Sequence, residues 1–311
     1  MGPRIDLHIH TRASDGTFTP AEVIAAAAQL GLGAIALTDH DTVASVQEGA
    51  RLARLAGMGY LRGVELTALR DAREIHLLGY QIDLEAPGLR RYMQDVGETR
   101  QQDTRVAVEK LVRLGLNLGW EEYQEYQAHR FRPEEGGWPL INLLKEKGYV
   151  RSHLDYFDRY FGVGRPAHIP PHYPPVARAI QAIREAGGVA ILAHPASYHM
   201  NGEVVDEVWL KDLLAEGLNG LEVFTPYNHA GCSSERLLQL AQRLGLLATG
   251  GSDFHGAFTE ERRLGSVEAD YSLFQAVERF LASLPQPTGK AVGSQDSSTE
   301  FSAQGGEIAS L

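Results

Sequence analysis

The chain has 311 residues, 43% of them hydrophobic, which is enough for a sizeable core in a barrel that runs past 200 residues. A formal charge of −11 disfavours a general binder of nucleic acid or membrane surface, because phosphate backbones and anionic lipids select basic faces. The single cysteine, Cys232, excludes an intrachain disulfide and a thiolate metal cluster, so any metal must use His, Asp and Glu. The N-terminus carries Arg4 and Asp6 and no apolar signal-peptide core, and the uncharged stretch 23–38 is too short to span a membrane. A soluble cytoplasmic protein is the expectation.

In chain order, the first strand is read over residues 4–10. His8 and His10 stand two apart there and share a face, so two neutral imidazoles can chelate one divalent cation. Thr19-Pro20-Ala21-Glu22 is a capping box with Pro at the first helical position, and Val23, Ile24, Ala27 and Leu30 give the helix an apolar stripe. Residues 34–37 form a short buried strand closing on Thr38-Asp39-His40-Asp41. A helix over 43–55 leads to a strand at 60–64 that ends at Glu65, and residues 74–80 form a fourth strand carrying His76. This alternation, with ligand-type residues at strand ends, predicts an α/β fold: a parallel barrel whose active face lies at the strand C-termini.

Residues 87–165 break the rhythm. A long helix over 89–116 and the aromatics Trp120, Tyr123, Tyr126 and Trp138 predict a mostly helical insertion, a lid over the barrel mouth. From 90 to 165 there are thirteen Lys/Arg against twelve Asp/Glu, so this is the part of an acidic chain least hostile to an anionic substrate. Five prolines between 166 and 175 mark the return. A helix (176–186) and a strand (189–192) ending at Ala193-His194-Pro195 follow. Then come a helix (206–216), a strand (220–224), a helix (235–244), a strand (246–249) ending at Ser252-Asp253-Phe254-His255, and a last helix (272–282). The predicted domains are therefore a discontinuous barrel, 1–86 and 166–284, the insertion, 87–165, and a disordered tail rich in Gly, Ser and Gln, 285–311.

Six of the twelve histidines fall at or near predicted strand ends, together with Glu65 and Asp253, and Asp15 joins them from the loop after the first strand. Arg12, Arg130, Arg132 and Arg165 are candidates for pairing with a substrate phosphate. His199 and His229, in loops after strands, are candidates for contacting substrate or protonating its leaving oxygen. Trp138, Tyr126 and Phe131 are placed to stack on a nucleobase or to pack the insertion.

His8-x-His10, Thr38-Asp39-His40, Glu65, His76, Ala193-His194-Pro195 and Ser252-Asp253-Phe254-His255 together resemble the motif series of the PHP (polymerase and histidinol phosphatase) family, over about residues 4–284. The resemblance implies a distorted (β/α)7, TIM-like barrel with three divalent metal ions, manganese, zinc or iron. His8, His10, Glu65 and Asp253 would hold one; Glu65, as a bridge, His76 and His194 a second; Asp15, His40 and His255 the third. Several relatives have His where this chain has Asp15, which leaves the preferred metal open. Glu65, Asp253 and His194 would then serve catalysis as well as binding, with His229 as a candidate acid.

The expected activity is a phosphoesterase acting on a small phosphorylated molecule of nucleotide or nucleoside 3′,5′-bisphosphate type, a metal-bridging hydroxide attacking phosphorus. Alternatives are hydrolysis of a cyclic ribose phosphate, 5′–3′ exonuclease action on short RNA, and a non-catalytic module of a DNA polymerase. The complete ligand series counts against the last. No membrane partner is expected, and the oligomeric state is not legible.

Overall fold

Runs such as Ile5–Ile9, Ala34–Leu37 and Val189–Leu192 are buried at every position, as strands are when both faces of a sheet are covered. The computed structural model describes residues 2–198, 205–259 and 262–284; His199 and the predicted tail, 285–311, lie outside the described residues. Seven strands form one sheet in chain order: β1 (Ile5–Ile9), β2 (Ala34–Leu37), β3 (Gly59–Arg70), β4 (Arg73–Tyr80), β5 (Val189–Leu192), β6 (Gly220–Phe224) and β7 (Leu247–Gly250). At its ends, His10 N–H donates to Phe254 O at 2.8 Å and Ile9 pairs in parallel with Phe254, just past β7.

Four helices follow strands in the expected places: α1 (Pro20–Gln29) and α2 (Val46–Leu55) early, and later α8 (Glu207–Glu216) and α9 (Ser234–Leu244). Another, α7 (Val176–Glu185), leads into β5, and α10 (Tyr271–Ser283) ends the described chain. The α1 capping box is present, with Thr19 Oγ1 accepting from Glu22 N–H and Glu22 reaching back to Thr19 N–H.

The all-parallel expectation fails at β4, which runs antiparallel to both β3 and β5. β3 does not end at Glu65 but continues to Arg70, and Asp71 and Ala72, both at positive φ (50° and 57°), turn the chain back. A two-residue connection cannot carry the crossover that a parallel strand needs. His76 therefore sits early in β4, opposite Thr67 and diagonal to Glu65 on the same face.

Between β4 and β5 the chain is helical: α3 (Pro87–Arg113), α4 (Trp120–Glu125), α5 (Pro139–Glu146) and α6 (His153–Tyr156), with π-helical turns at Tyr126–Arg130 and Phe157–Phe161. The start of α3 buries Leu89, Tyr92 and Val96 against Ile180 and Ile183 of α7. Its end buries Ala107, Val108 and Leu111 in a separate apolar cluster with Tyr123, Leu140, Leu143 and Tyr156. One helix thus anchors the insertion's own core to the sheet. Among the described residues no helix is long and apolar enough to cross a membrane.

Candidate metal centre

Alternation along β1 puts Asp6, His8 and His10 on one face, and all three are fully buried. Glu65, from the middle of β3, meets them. Its Oε2 lies 3.2 Å from His8 Nε2, 3.1 Å from His10 Nε2 and 3.2 Å from His40 Nδ1. Its Oε1 lies 3.1 Å from both His76 Nδ1 and His194 Nε2. Asp253 Oδ1 adds contacts at 3.3 Å to His8 and 3.1 Å to His10, while Asp15 Oδ1 faces His255 Nε2 at 3.4 Å and His10 Nδ1 at 3.6 Å.

His8 Nε2, both His10 nitrogens, His40 Nδ1, His76 Nδ1 and Glu65 Oε2 are buried without a hydrogen-bond partner. Each such atom costs about 1–3 kcal/mol when left unmet. Inward-facing lone pairs in this density suit divalent cations, which the donor chemistry, N and O only, also fits. Three overlapping sets of donor atoms lie within 4.8 Å of one another: His8, His10, Glu65 and Asp253; His10, Asp15, His40 and His255; and His40, Glu65 and His76. His194 stands outside these sets, yet shares Glu65 Oε1 with His76.

The outer nitrogens of His8, His76 and His194 are occupied, which leaves their inner ones to face the centre. His8 Nδ1 meets Glu222 Oε1 at 3.1 Å, His76 Nε2 meets Glu74 at 3.1 Å, and His194 Nδ1 meets Ser197 Oγ at 2.8 Å. Glu222 Oε2 also accepts from His194 N–H at 2.7 Å, holding that residue at a positive φ of 29°. Asp39 accepts from Thr11 N–H and Ser14 Oγ, both at 2.7 Å, and so pins the loop that carries Asp15. Asp6 accepts from Ser252 N–H at 2.9 Å and Gly265 N–H at 2.7 Å, tying the loop of Asp253 to β1; burial pushes its carboxyl up to about 6. A Cβ on Gly251 would lie 2.3 Å from that of His8, so only glycine permits this approach.

Electrostatics follow from the same contacts. Burial opposes charge on His10 and His76, but Glu65, joined by Asp253 at His10 and by Glu74 at His76, outweighs it and pushes them up to about 9 and about 10. Burial also works against the Glu65 and Asp253 carboxylates. The surrounding imidazoles nevertheless hold both well below the usual carboxylate range. His40 is driven down by burial, with His10 and His76 reinforcing the shift against the nearby carboxylates.

Above this floor lies a cavity of about 240 Å³. Tyr227 and Arg262 line one side, and Trp138, Ile141, His153 and Phe157 of the insertion line another. Tyr227 OH donates to Asp253 Oδ2 at 2.6 Å, and Arg262 bonds the same oxygen, leaving Oδ1 to the imidazoles.

Residues 6–186 match the family described as the PHP domain. The chain belongs to that family. It is 31% identical over 260 residues to a 5′–3′ exoribonuclease of Salmonella typhimurium, covering 80% of this chain and 84% of the relative. A 3′,5′-nucleoside bisphosphate phosphatase of Chromobacterium violaceum is 30% identical over 270 residues (85% and 91%). A phosphoribosyl 1,2-cyclic phosphate 1,2-diphosphodiesterase of Eggerthella lenta is 30% identical over 278 residues (84% and 97%). Among solved structures, a Bifidobacterium adolescentis protein assigned as a metal-dependent phosphoesterase superposes with a TM-score of 0.78 at 30% identity, over 88% of this chain and 95% of that one. This chain is a metal-dependent phosphoesterase of the PHP type.

The arginines expected at substrate do not line this cavity of the PHP chain. Arg12 Nε donates to Thr17 O at 2.7 Å, Arg130 pairs with Glu146 at 2.9 Å, and Arg132 and Arg165 are exposed; none lines the cavity. Arg130 lies over the Tyr126 ring at 5.2 Å, and Tyr126 is buried in the insertion's apolar cluster with Phe131 packed against it. His229 is also outside the lining, its Nδ1 accepting from Gly231 N–H at 3.2 Å within its own loop. The lining guanidinium is that of Arg262. It sits in a run of Glu and Arg that reads as solvated surface, so no motif marks it. Glu222 was equally hidden, mid-strand between apolar residues, although a carboxylate in so apolar a strand is itself a signal.

Proposed function

We propose that this PHP phosphoesterase hydrolyses a small phosphorylated substrate of the nucleotide or nucleoside 3′,5′-bisphosphate type, with three divalent cations held as the family resemblance implies. His8, His10, Glu65 and Asp253 would hold one; Glu65, His76 and His194 a second; Asp15, His40 and His255 the third. The observation that carries this is the convergence of five imidazole nitrogens on the two oxygens of Glu65. Divalent cations bound there supply Lewis-acid activation of water and phosphate. Around them, Glu222, Glu74 and Ser197 fix the ring orientations, and Tyr227 and Arg262 orient Asp253. Arg262 also offers the cavity a guanidinium for phosphate oxygens.

The same reading has residues 1–86 and 166–284 as one barrel unit, closed through the His10–Phe254 contact, and 87–165 as its insertion. The insertion's separate apolar cluster supports that division. Terminal hydrolysis of short RNA is a second reading, supported by the exoribonuclease relatives. The test is a hydrolysis screen of mononucleotides, nucleoside bisphosphates, cyclic ribose phosphates and short RNA, with manganese, zinc and iron supplied separately and bound metal counted. Highest kcat/KM on nucleotides with close to three ions per chain is expected. Well under three ions, or turnover confined to cyclic ribose phosphates, would reject it.

A further inference from the structure

The cavity wall built by the insertion has a use that the metal centre does not explain. Phe157 is 49% exposed at the cavity, an unusual position for a large aromatic side chain. It opens the π-helical turn Phe157–Phe161, closed by Gly162 N–H to Phe157 O at 2.7 Å. The extra residue in that turn lets Tyr156 and Phe161, five apart, both bury, their rings stacked at 4.3 Å and 17°. Phe157 is thereby left facing out. Its ring stands perpendicular to Tyr156 at 5.2 Å, so it is held by a buried neighbour rather than free to collapse. His153, one helical turn earlier on the same face, lines the cavity with it. Such turns recur at functional sites, and a fixed exposed ring loses little entropy when a flat ligand covers it.

We propose that Phe157, with His153 beside it, is a stacking subsite for the nucleobase of a substrate whose phosphate lies at the metal centre. The subsite rests on the nucleotide reading given above. Phe157 offers an aromatic face and reads no base edge, so it accepts purines and pyrimidines alike. Trp138 is the inner part of the same wall, its ring 4.5 Å from the Arg100 guanidinium and 6.2 Å from the His40 ring, too near the metal ligands to be the base platform.

The experiment measures kcat and KM of the metal-loaded full chain, Phe157→Ala and Phe157→Trp on three kinds of substrate: adenosine nucleotides and uridine nucleotides, each as the 5′-monophosphate and the 3′,5′-bisphosphate, and ribose 5-phosphate. One stacked base is worth about 1–3 kcal/mol, so Phe157→Ala is expected to lower the preference for either nucleotide over ribose phosphate by roughly 5- to 150-fold, mainly through KM. Phe157→Trp should restore it. An equal loss on all three substrates, or an unchanged preference, overturns the subsite while leaving the nucleotide reading intact. A wild-type chain that turns over ribose phosphate and no nucleotide overturns both.

Discussion

Glu65 is the side chain on which the site depends most, because its two oxygens face five imidazoles and no arginine or lysine contacts it among the described residues. Glu65→Gln keeps the shape and removes the charge that cations on either side would share. Bound metal should fall below that of the parent chain and kcat by orders of magnitude, with far-ultraviolet circular dichroism unchanged; full metal content with near-normal turnover would refute the bridge. Glu65 was legible because a charged residue following an apolar strand run stands out. Arg262 was not, since its role depends on a loop folding back onto Asp253. The two arginine assignments separate cleanly. Arg262→Lys should raise KM and lower kcat, because Lys cannot reproduce a forked contact to Asp253 and phosphate, whereas Arg130→Ala should leave both within about twofold. Comparable effects of the two variants would return the insertion arginines to the site.

At the scale of elements, the β3–β4 hairpin and its neighbour α3 decide how the insertion meets the cluster of His, Asp and Glu. Asp41, at a φ of 50°, accepts from Thr67 N–H at 2.9 Å and Thr67 Oγ1 at 2.8 Å, and pairs with Arg100 of α3 at 2.8 Å. Arg100 in turn covers Trp138, and Gly137 N–H donates to Asp15 O at 2.7 Å. The loop after β2, the hairpin, the long helix and the cavity wall are thus joined through one guanidinium. The helices and most strands were legible from period and caps. The hairpin was missed because its turn, Asp71-Ala72, lacks the glycine that usually marks one, although the short spacing from Glu65 to Glu74 already excludes a crossover. Arg100→Met should destabilise the fold by about 1.5–3 kcal/mol, since it leaves the partly buried Asp41 carboxylate without the cation that bonds it. Urea unfolding at pH 7 measures this, and Asp41→Asn added to Arg100→Met should recover part of the loss. Additive losses would mean that the pair is not coupled.

For the molecule as a whole, the candidate metal centre would put protons and cations in competition for the same nitrogens. Without metal, the His8 imidazole, raised well above its ordinary value, and those of His10 and His76, raised to about 9 and about 10, carry the positive charge that offsets Glu65 and Asp253. The contribution of His10 and His76 to stability is fully present below the unfolded imidazole value of about 6.5 and is lost as pH rises through 9 to 10, because the folded state holds the extra protons in that window. The depressed carboxylates act in the opposite sense: their contribution is present above about pH 4 and is lost only as pH falls toward their much lower folded values. The Tm of the chelated protein should therefore fall steadily from pH 7 to 9.5, the window in which the folded state holds protons that the unfolded state has lost. Cations must displace those protons, so binding strengthens with pH and the Tm gap between manganese-loaded and chelated protein should widen over the same range. Thermal unfolding at fixed ionic strength, with either excess manganese or excess chelator, gives both curves. A gap that stays constant from pH 6 to 9.5 would mean that His10 and His76 are not where the metal binds.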